Sequence, residues 1–423
     1  MSYANATVLT TINQHFKYIQ DKAQSLLPEN AILMKLIPEI SEATKEGRKY
    51  LVPVQLSHEN GVTFGDGTVF ALNDAASAIY EEIEVDASPI ILLTQISESV
   101  ANRMANSKQT FITEASLRAQ VMYDSLARVL EISMLYGQCA SGVGTFTLGT
   151  WATYTTYGTV VLTAASWAPG IWAGAVGAYL NVYYGSTQVS SSTNGDFLVT
   201  NVAMATRTIT ISGSSTGIAA IETNKAQALY FVLKGSYTNA MLGLDAQIVG
   251  GTTFFGIDPT VYPLWQGQTY ACGSASLTMS KVLAGAGLCV SAGGLNSDAV
   301  LMVSAATYAN LNADQAALRM YDSSYSAKEN DNGSEGLVYM GPNGRIKVTI
   351  NNIVKEGEAF LLPTRYLKRV GAKELSFERP GQKDQFFQEI PGYAGYSLRA
   401  GAEFAVLLER PAQACKFTAI VNS

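Results

Sequence analysis

Two stretches near the N-terminal end alternate with a period of two, and little that could fill a core lies between them. Tyr50, Val52, Val54 and Leu56 alternate with Leu51, Pro53, Gln55 and Ser57, and Glu82, Glu84 and Asp86 alternate with Ile83 and Val85. Between them stand two turn clusters, His58-Glu59-Asn60-Gly61 and Gly65-Asp66-Gly67. The pattern predicts a long two-stranded ribbon with a glycine-rich tip. A lone hairpin is marginally stable in water, so this one must lie on another surface. Its charge is one-sided: eight acids and no Lys or Arg fall between Tyr50 and Asn102. Two readings follow, an acidic solvated face or a strap that docks on a basic neighbour. Under the second, Glu59, Val62, Phe64, Asp66, Val69, Glu82, Glu84 and Asp86 are the candidate inter-subunit residues.

The composition favours extensive subunit contact. Of 423 residues, 48% are hydrophobic and 15% charged, against about 25% charged in ordinary soluble proteins. The length allows two or three domains. A net charge of −6 argues against a protein whose whole surface coats nucleic acid. The opening residues lack the basic start and apolar run of a secretory signal. The most membrane-like window, Trp167 to Tyr184, is broken by Pro169, Gly170, Gly174 and Gly177, so no transmembrane helix is expected. Cys139, Cys272, Cys289 and Cys415 fit neither a zinc motif nor a disulfide scaffold and read as buried free thiols.

Along the chain, residues 1–46 read as an arm with short helices. Ala115, Ala119, Met122, Leu126, Val129 and Ser133 mark one face of a long helix over about 112–136, with Gly137 as its stop. From Ile132 to Gly195 no residue is charged. The β-like runs and turns of 143–225 predict a small, separable β-domain with Trp151, Trp167 and Trp172 in its core. Residues 226–362 read as mixed helix and strand. Ala299–Ser304 is a doubly buried strand, and a hairpin turns at Gly341–Gly344. Pro363–Lys383 carries six bases against Glu374 and Glu378. Arg365, Lys368, Arg369 and Lys373 are the candidate partners for the acidic ribbon.

Catalytic constellations are weak. Of the two histidines, His15 falls on the expected N-terminal helix and His58 at a ribbon turn. Gly213-Ser214-Ser215-Thr216-Gly217 matches a nucleophile elbow literally, yet no histidine follows it, so a turn is expected. The glycines at 285, 287, 293 and 294 lack dinucleotide or Walker spacing. No Cys/His cluster has metal spacing. No catalytic, cofactor or metal site is expected, and the chain is not read as an enzyme.

The order of pieces, together with several stretches, resembles tailed-phage major capsid proteins of the Hong Kong 97 fold. The stretches are Gly47–Val54, Leu162–Trp172, Arg207–Ile211, Phe254–Asp258 through Tyr262–Trp265, Val354–Phe360 and Glu409–Ala412. The resemblance implies an α+β capsid fold with an all-β insertion domain. Its parts are an N-arm (1–46), an E-loop (47–92), a peripheral domain with the spine helix (93–142 and 363–408), the insertion (143–225) and an axial domain (226–362 and 409–423). It also implies a virion protein that assembles in the host cytoplasm into hexamers and pentamers around double-stranded DNA. A scaffolding protein, a portal and optionally a decoration protein would be its partners, with no membrane and no cofactor. Some relatives cross-link subunits through an E-loop lysine. No lysine lies between Lys49 and Lys108, so that chemistry is not expected. Two other readings are an encapsulin-like nanocompartment shell and a non-capsid β-rich surface protein.

Overall fold

The computed structural model describes residues 32–38, 49–65, 67, 69–97, 108–146, 152–153, 156–189, 196–251, 253–294, 298–319, 338–342, 344–377, 387–390 and 392–422. They fall into two compact units. Described residues 89–129 and 373–402 form one, and 32–88, 130–372 and 403–422 form the other.

A short helix α1 (Ile32–Leu36) precedes strands β1 (Lys49–Gln55), β2 (Tyr80–Asp86) and β3 (Ser88–Ser97), and the long helix α2 (Lys108–Tyr136) follows. Then come β4 (Gly144–Phe146), β5 (Ala152–Thr153), β6 (Tyr157–Val161), β7 (Tyr179–Tyr184), β8 (Thr187–Gln188), β9 (Phe197–Ala203), β10 (Thr208–Ser212), helix α3 (Ser215–Thr223) and β11 (Leu229–Leu233). Helix α4 (Leu244–Val249), β12 (Gln268–Ala275), α5 (Met279–Gly293), β13 (Ala299–Val303), α6 (Ala305–Arg319), β14 (Val338–Met340), β15 (Arg345–Ile350) and β16 (Ala359–Pro363) come next. The chain closes with β17 (Leu367–Ser376), β18 (Phe387–Glu389), β19 (Gly395–Leu408) and β20 (Cys415–Ile420).

Helix α2 has 29 residues, roughly 40 Å at about 1.5 Å per residue. Met122 and Leu126 are buried while Val121 and Tyr123 are exposed, and from Leu130 to Tyr136 every residue is buried. Gly137 ends the helix differently from expectation. The left-handed residue is Gln138, at φ 51°, and Gly137 is needed because a Cβ there would lie 2.1 Å from the Met241 carbonyl.

Strands between Gly144 and Leu233 build an eight-stranded sheet in the order β4-β11-β7-β9-β10-β6-β5, with β8 on β7. Val160, Ile209 and Ile211 alternate inward. Phe231 packs 4.5 Å from Phe146 and edge-on to Trp172 at 5.9 Å. Trp167 is buried as well, and Trp151 lies outside the described residues. Strand β11, which follows the boundary expected at 225, pairs with both β4 and β7. The sheet shares its compact unit with 234–372 and does not stand as a unit alone.

A six-stranded mixed sheet follows the order β12-β20-β16-β13-β15-β14. Strand β13 is buried throughout, parallel to β15 and antiparallel to β16, as a continuous apolar run requires. Residues 415–420 supply the interior strand β20 between β12 and β16. Helix α5 packs on β20 through Gly285, where a Cβ would lie 2.5 Å from the Phe417 ring. A four-stranded sheet joins β17, β19 and β18, with β3 on β19. Strands β17 and β19 pass from one compact unit to the other, at 373 and 402. The sequence reading set those divisions at 363 and 408.

Candidate functional site

Strands β1 and β2 form the ribbon in antiparallel register, with Val52 opposite Ile83 and Leu51 opposite Glu84. Opposed residues share a face, so two unlike faces result. One carries Tyr50, Val52 and Val54 against Val85, Ile83 and Glu81, and Ile83 and Val85 are fully buried. The other sets Leu51, Pro53 and Gln55 against Glu84, Glu82 and Tyr80, with Asp86 opposite Lys49. On that face Glu82, Glu84 and Asp86 are exposed, and so are Leu51 and Tyr80. The period of two thus collects Glu82, Glu84 and Asp86 into one stripe beside exposed apolar groups, with Glu81 on the other face.

The tip is held by its own polar contacts. Leu56 N–H donates to Ile79 O at 2.9 Å and Asn60 N–H to Ala76 O at 3.1 Å. Asn73 Nδ2 donates to Val62 O and Asn73 N–H to Thr63 Oγ1, both at 2.8 Å. Its apolar side chains nonetheless face outward: Phe64 is 93% and Val69 104% exposed, and Val62, Leu72 and Phe70 are exposed too. The Phe70 ring crosses Gly65, where a Cβ would lie 2.1 Å from it. Glu59 is exposed, and Asp66 lies outside the described residues. A concentrated apolar exposure of this kind marks an interaction surface.

The four candidate bases do not share one environment. Arg365 is exposed, its guanidinium 5.8 Å from the Tyr366 ring centre. Lys368 pairs with Glu409 of its own chain. Lys373 is half-buried. Arg369 is buried: its Nε donates to Ile37 O at 3.0 Å and its guanidinium lies 5.6 Å from the Phe404 ring centre. The alternation of β17 turns Arg369 inward, so Arg369 belongs to the chain's own interior.

A second polar assembly escaped the sequence reading. Lys416 on β20 touches Asp245 on α4 and lies 2.9 Å from Glu358 Oε1. Cys139 Sγ donates to Asp245 Oδ2 at 2.8 Å, and Tyr136 OH donates to Glu358 Oε2 at 3.2 Å. Lys355 Nζ donates to Ser141 Oγ at 2.8 Å and Gly142 O at 2.9 Å, and stands 4.1 Å over the Tyr136 ring. Burial first, and then Asp245, push the Cys139 thiol up to about 12, so it keeps its proton. Burial pulls the Lys416 ammonium down, but Asp245 and Glu358 outweigh it and hold it above the ordinary lysine range. The signal in the sequence was a lone lysine inside an apolar strand, Cys415-Lys416-Phe417.

Gly213 and Ser214 link strand β10 to helix α3, and Ser214 caps the helix by accepting from Gly217 N–H at 3.0 Å, while Ser215–Gly217 form its first turn. All four cysteines are buried free thiols. Among the described residues no three His, Cys, Asp or Glu side chains are grouped to hold a metal, and no helix is long and apolar enough to cross a membrane.

No family model matches the chain, and no curated protein sequence matches it. Solved structures do. A chain of the cyanophage A-1(L) capsid asymmetric unit is 12% identical, with a TM-score of 0.53 over 96% of this chain and 96% of that one. A chain from the capsid of an empty GTA particle is 10% identical, with a TM-score of 0.46 over 96% of each. We rest the fold assignment on the cyanophage chain: the two share one fold across nearly their whole lengths.

Proposed function

We propose, with the fold of a phage capsid chain as the premise, that this protein is the major coat protein of a tailed phage head. It self-assembles into hexamers and pentamers of an icosahedral shell enclosing double-stranded DNA, with a scaffolding protein and a portal as assembly partners. A fold alone does not fix function. The observation that carries the reading is the ribbon, whose tip exposes Phe64, Val69 and Leu72 almost fully. Burying such a side chain against a neighbour contributes about 1.5–3 kcal/mol, and a closed shell repeats the contact at every subunit.

The acidic stripe sets the register of that contact. Glu82, Glu84 and Asp86 of one subunit meet Arg365 of another, the exposed one of the four candidate bases. An exposed ion pair is worth only about 0–1 kcal/mol, so the apolar tip supplies most of the affinity and the charges suppress wrong docking. Negative-stain microscopy of the purified protein tests the coat reading: shells or capsomers are expected, and monomers at every concentration would overturn it. Glu82→Lys with Glu84→Lys should reduce shell yield more at low salt than at high salt, because salt screens the new repulsion. Arg365→Glu should restore the yield. Full yield from the double reversal at low salt would end the ion-pair assignment.

A further inference from the structure

We infer that Lys416 and Asp245 condense to an intrachain isopeptide bond, with Glu358 as the proton carrier. This goes beyond the coat reading and does not depend on it. Both side chains are deeply buried, at 7% and 5% exposure, and Glu358 is 16% exposed beside them. The Lys416 amine touches Asp245 Oδ1. The other Asp245 oxygen is fixed by the Cys139 thiol at 2.8 Å, which holds the carboxyl group still against the amine. Glu358 reaches Nζ through Oε1 at 2.9 Å. Its Oε2 is positioned by Tyr136 OH at 3.2 Å, and that hydroxyl accepts from Lys355 N–H at 3.0 Å. The Phe360 ring, 5.6 Å from Nζ, lines the other side.

The chemistry balances without any co-reactant. Asp245 and Glu358 hold Lys416 as the ammonium at rest, so the first step is an uphill transfer of one proton from Nζ by way of Glu358 to Oδ1. The freed Nζ lone pair adds to Asp245 Cγ and forms the C–N bond. A second proton leaves Nζ for Glu358, which delivers it to the departing oxygen. The Cγ–Oδ1 bond breaks and one water leaves. An ammonium and a carboxylate become a neutral amide, and Glu358 ends as it began. Fixing amine and carboxyl in contact supplies an effective molarity that can reach about 10⁵–10⁸ M. Exclusion of water disfavours the reverse reaction, and loss of both charges relieves the desolvation of the pair. A cavity of about 140 Å³ lined by Glu358, Lys355 and Ser141 gives the released water a place to go. The bond would tie the interior strand β20 to helix α4 and close every residue from 246 to 415 into one covalent loop.

Intact-mass spectrometry of the full chain, purified folded and then denatured, tests this. The wild type should be one water lighter than its sequence, and peptide mapping should recover the Asp245 peptide joined to the Lys416 peptide. Lys416→Arg keeps the cation but cannot condense in this way, and should carry the full sequence mass. Glu358→Gln removes the proton carrier, and the joined peptide should be lost. A wild-type chain at full sequence mass overturns the proposal. So does a one-water deficit that persists in Lys416→Arg. The wild-type mass decides the question even if a variant does not fold, and it does so whether or not shells form.

Discussion

Glu131 is a lone acid in the fully buried end of helix α2, and its carboxylate is used entirely inside the chain. Oε1 accepts from Leu33 N–H at 2.6 Å and from Asn351 Nδ2 at 3.1 Å, while Oε2 accepts from Met34 N–H at 3.3 Å. It thereby ties α1 and the 351–358 loop to the end of α2. Burial pushes the carboxyl up to about 7, against the lowering effect of those hydrogen bonds. The folded state therefore binds the proton more tightly than the unfolded chain, whose value is 4.5. Stability from this group is fully present below about 4.5 and is lost as pH rises through about 7, a swing of roughly 3 kcal/mol at most. Glu131→Gln should flatten that slope. Thermal unfolding of the unassembled chain checks it: the wild type should gain on the variant as pH falls from about 7 to about 4.5, and parallel curves would refute it. The sequence held the hint, a single acid in Val129–Tyr136. Its partners come from far along the chain, and no local pattern names them. Arg369 makes the complementary point: counting bases by segment ignored the strand alternation that turns one of them inward.

Among elements, the ribbon was the most legible, because alternation in β1 and β2 directly records two faces. Strands β11 and β20 were not. Leu229–Leu233 is apolar throughout, which carries no period and hides which sheet it joins. Cys415–Ile420 is short and contains a buried lysine that interrupts its apolar pattern. The ribbon tip makes its own prediction. Phe64 and Val69 are exposed in the free chain, so Phe64→Ser with Val69→Ser removes no core. Its melting temperature should stay close to wild type, while shell or capsomer yield falls sharply. Equal yields would mean that the tip buries nothing on assembly. A fall in both would mean that the tip packs within its own chain.

At the scale of the whole molecule, the β-rich segment tests how far a sequence-defined module is a folding module. A run without charge, bounded by a helix stop, reads as an insertion that can be removed, and deleting Ser141–Thr223 across a short linker is the natural trial. The contacts argue against independence. Gly170 N–H donates to Asn352 O, Glu356 N–H to Trp167 O and Gly357 N–H to Ala165 O, each at 2.9 Å. A Cβ on Gly357 would lie 2.6 Å from that of Ala165, so the two backbones need a glycine to meet. Lys355 Nζ takes both its acceptors from Ser141 and Gly142. The deletion would strip those acceptors from a buried lysine, and leaving a buried charge uncompensated typically costs about 3–5 kcal/mol. It would also leave β11 without β4 and β7. That combined loss is comparable to the whole stability of an ordinary domain, about 5–15 kcal/mol. The deleted chain should therefore fail to give a cooperative thermal transition and should aggregate on expression. A soluble deletion product that melts cooperatively within a few degrees of wild type would show the opposite, that the 351–358 loop repacks and the β-sheet is an accessory to a self-sufficient core.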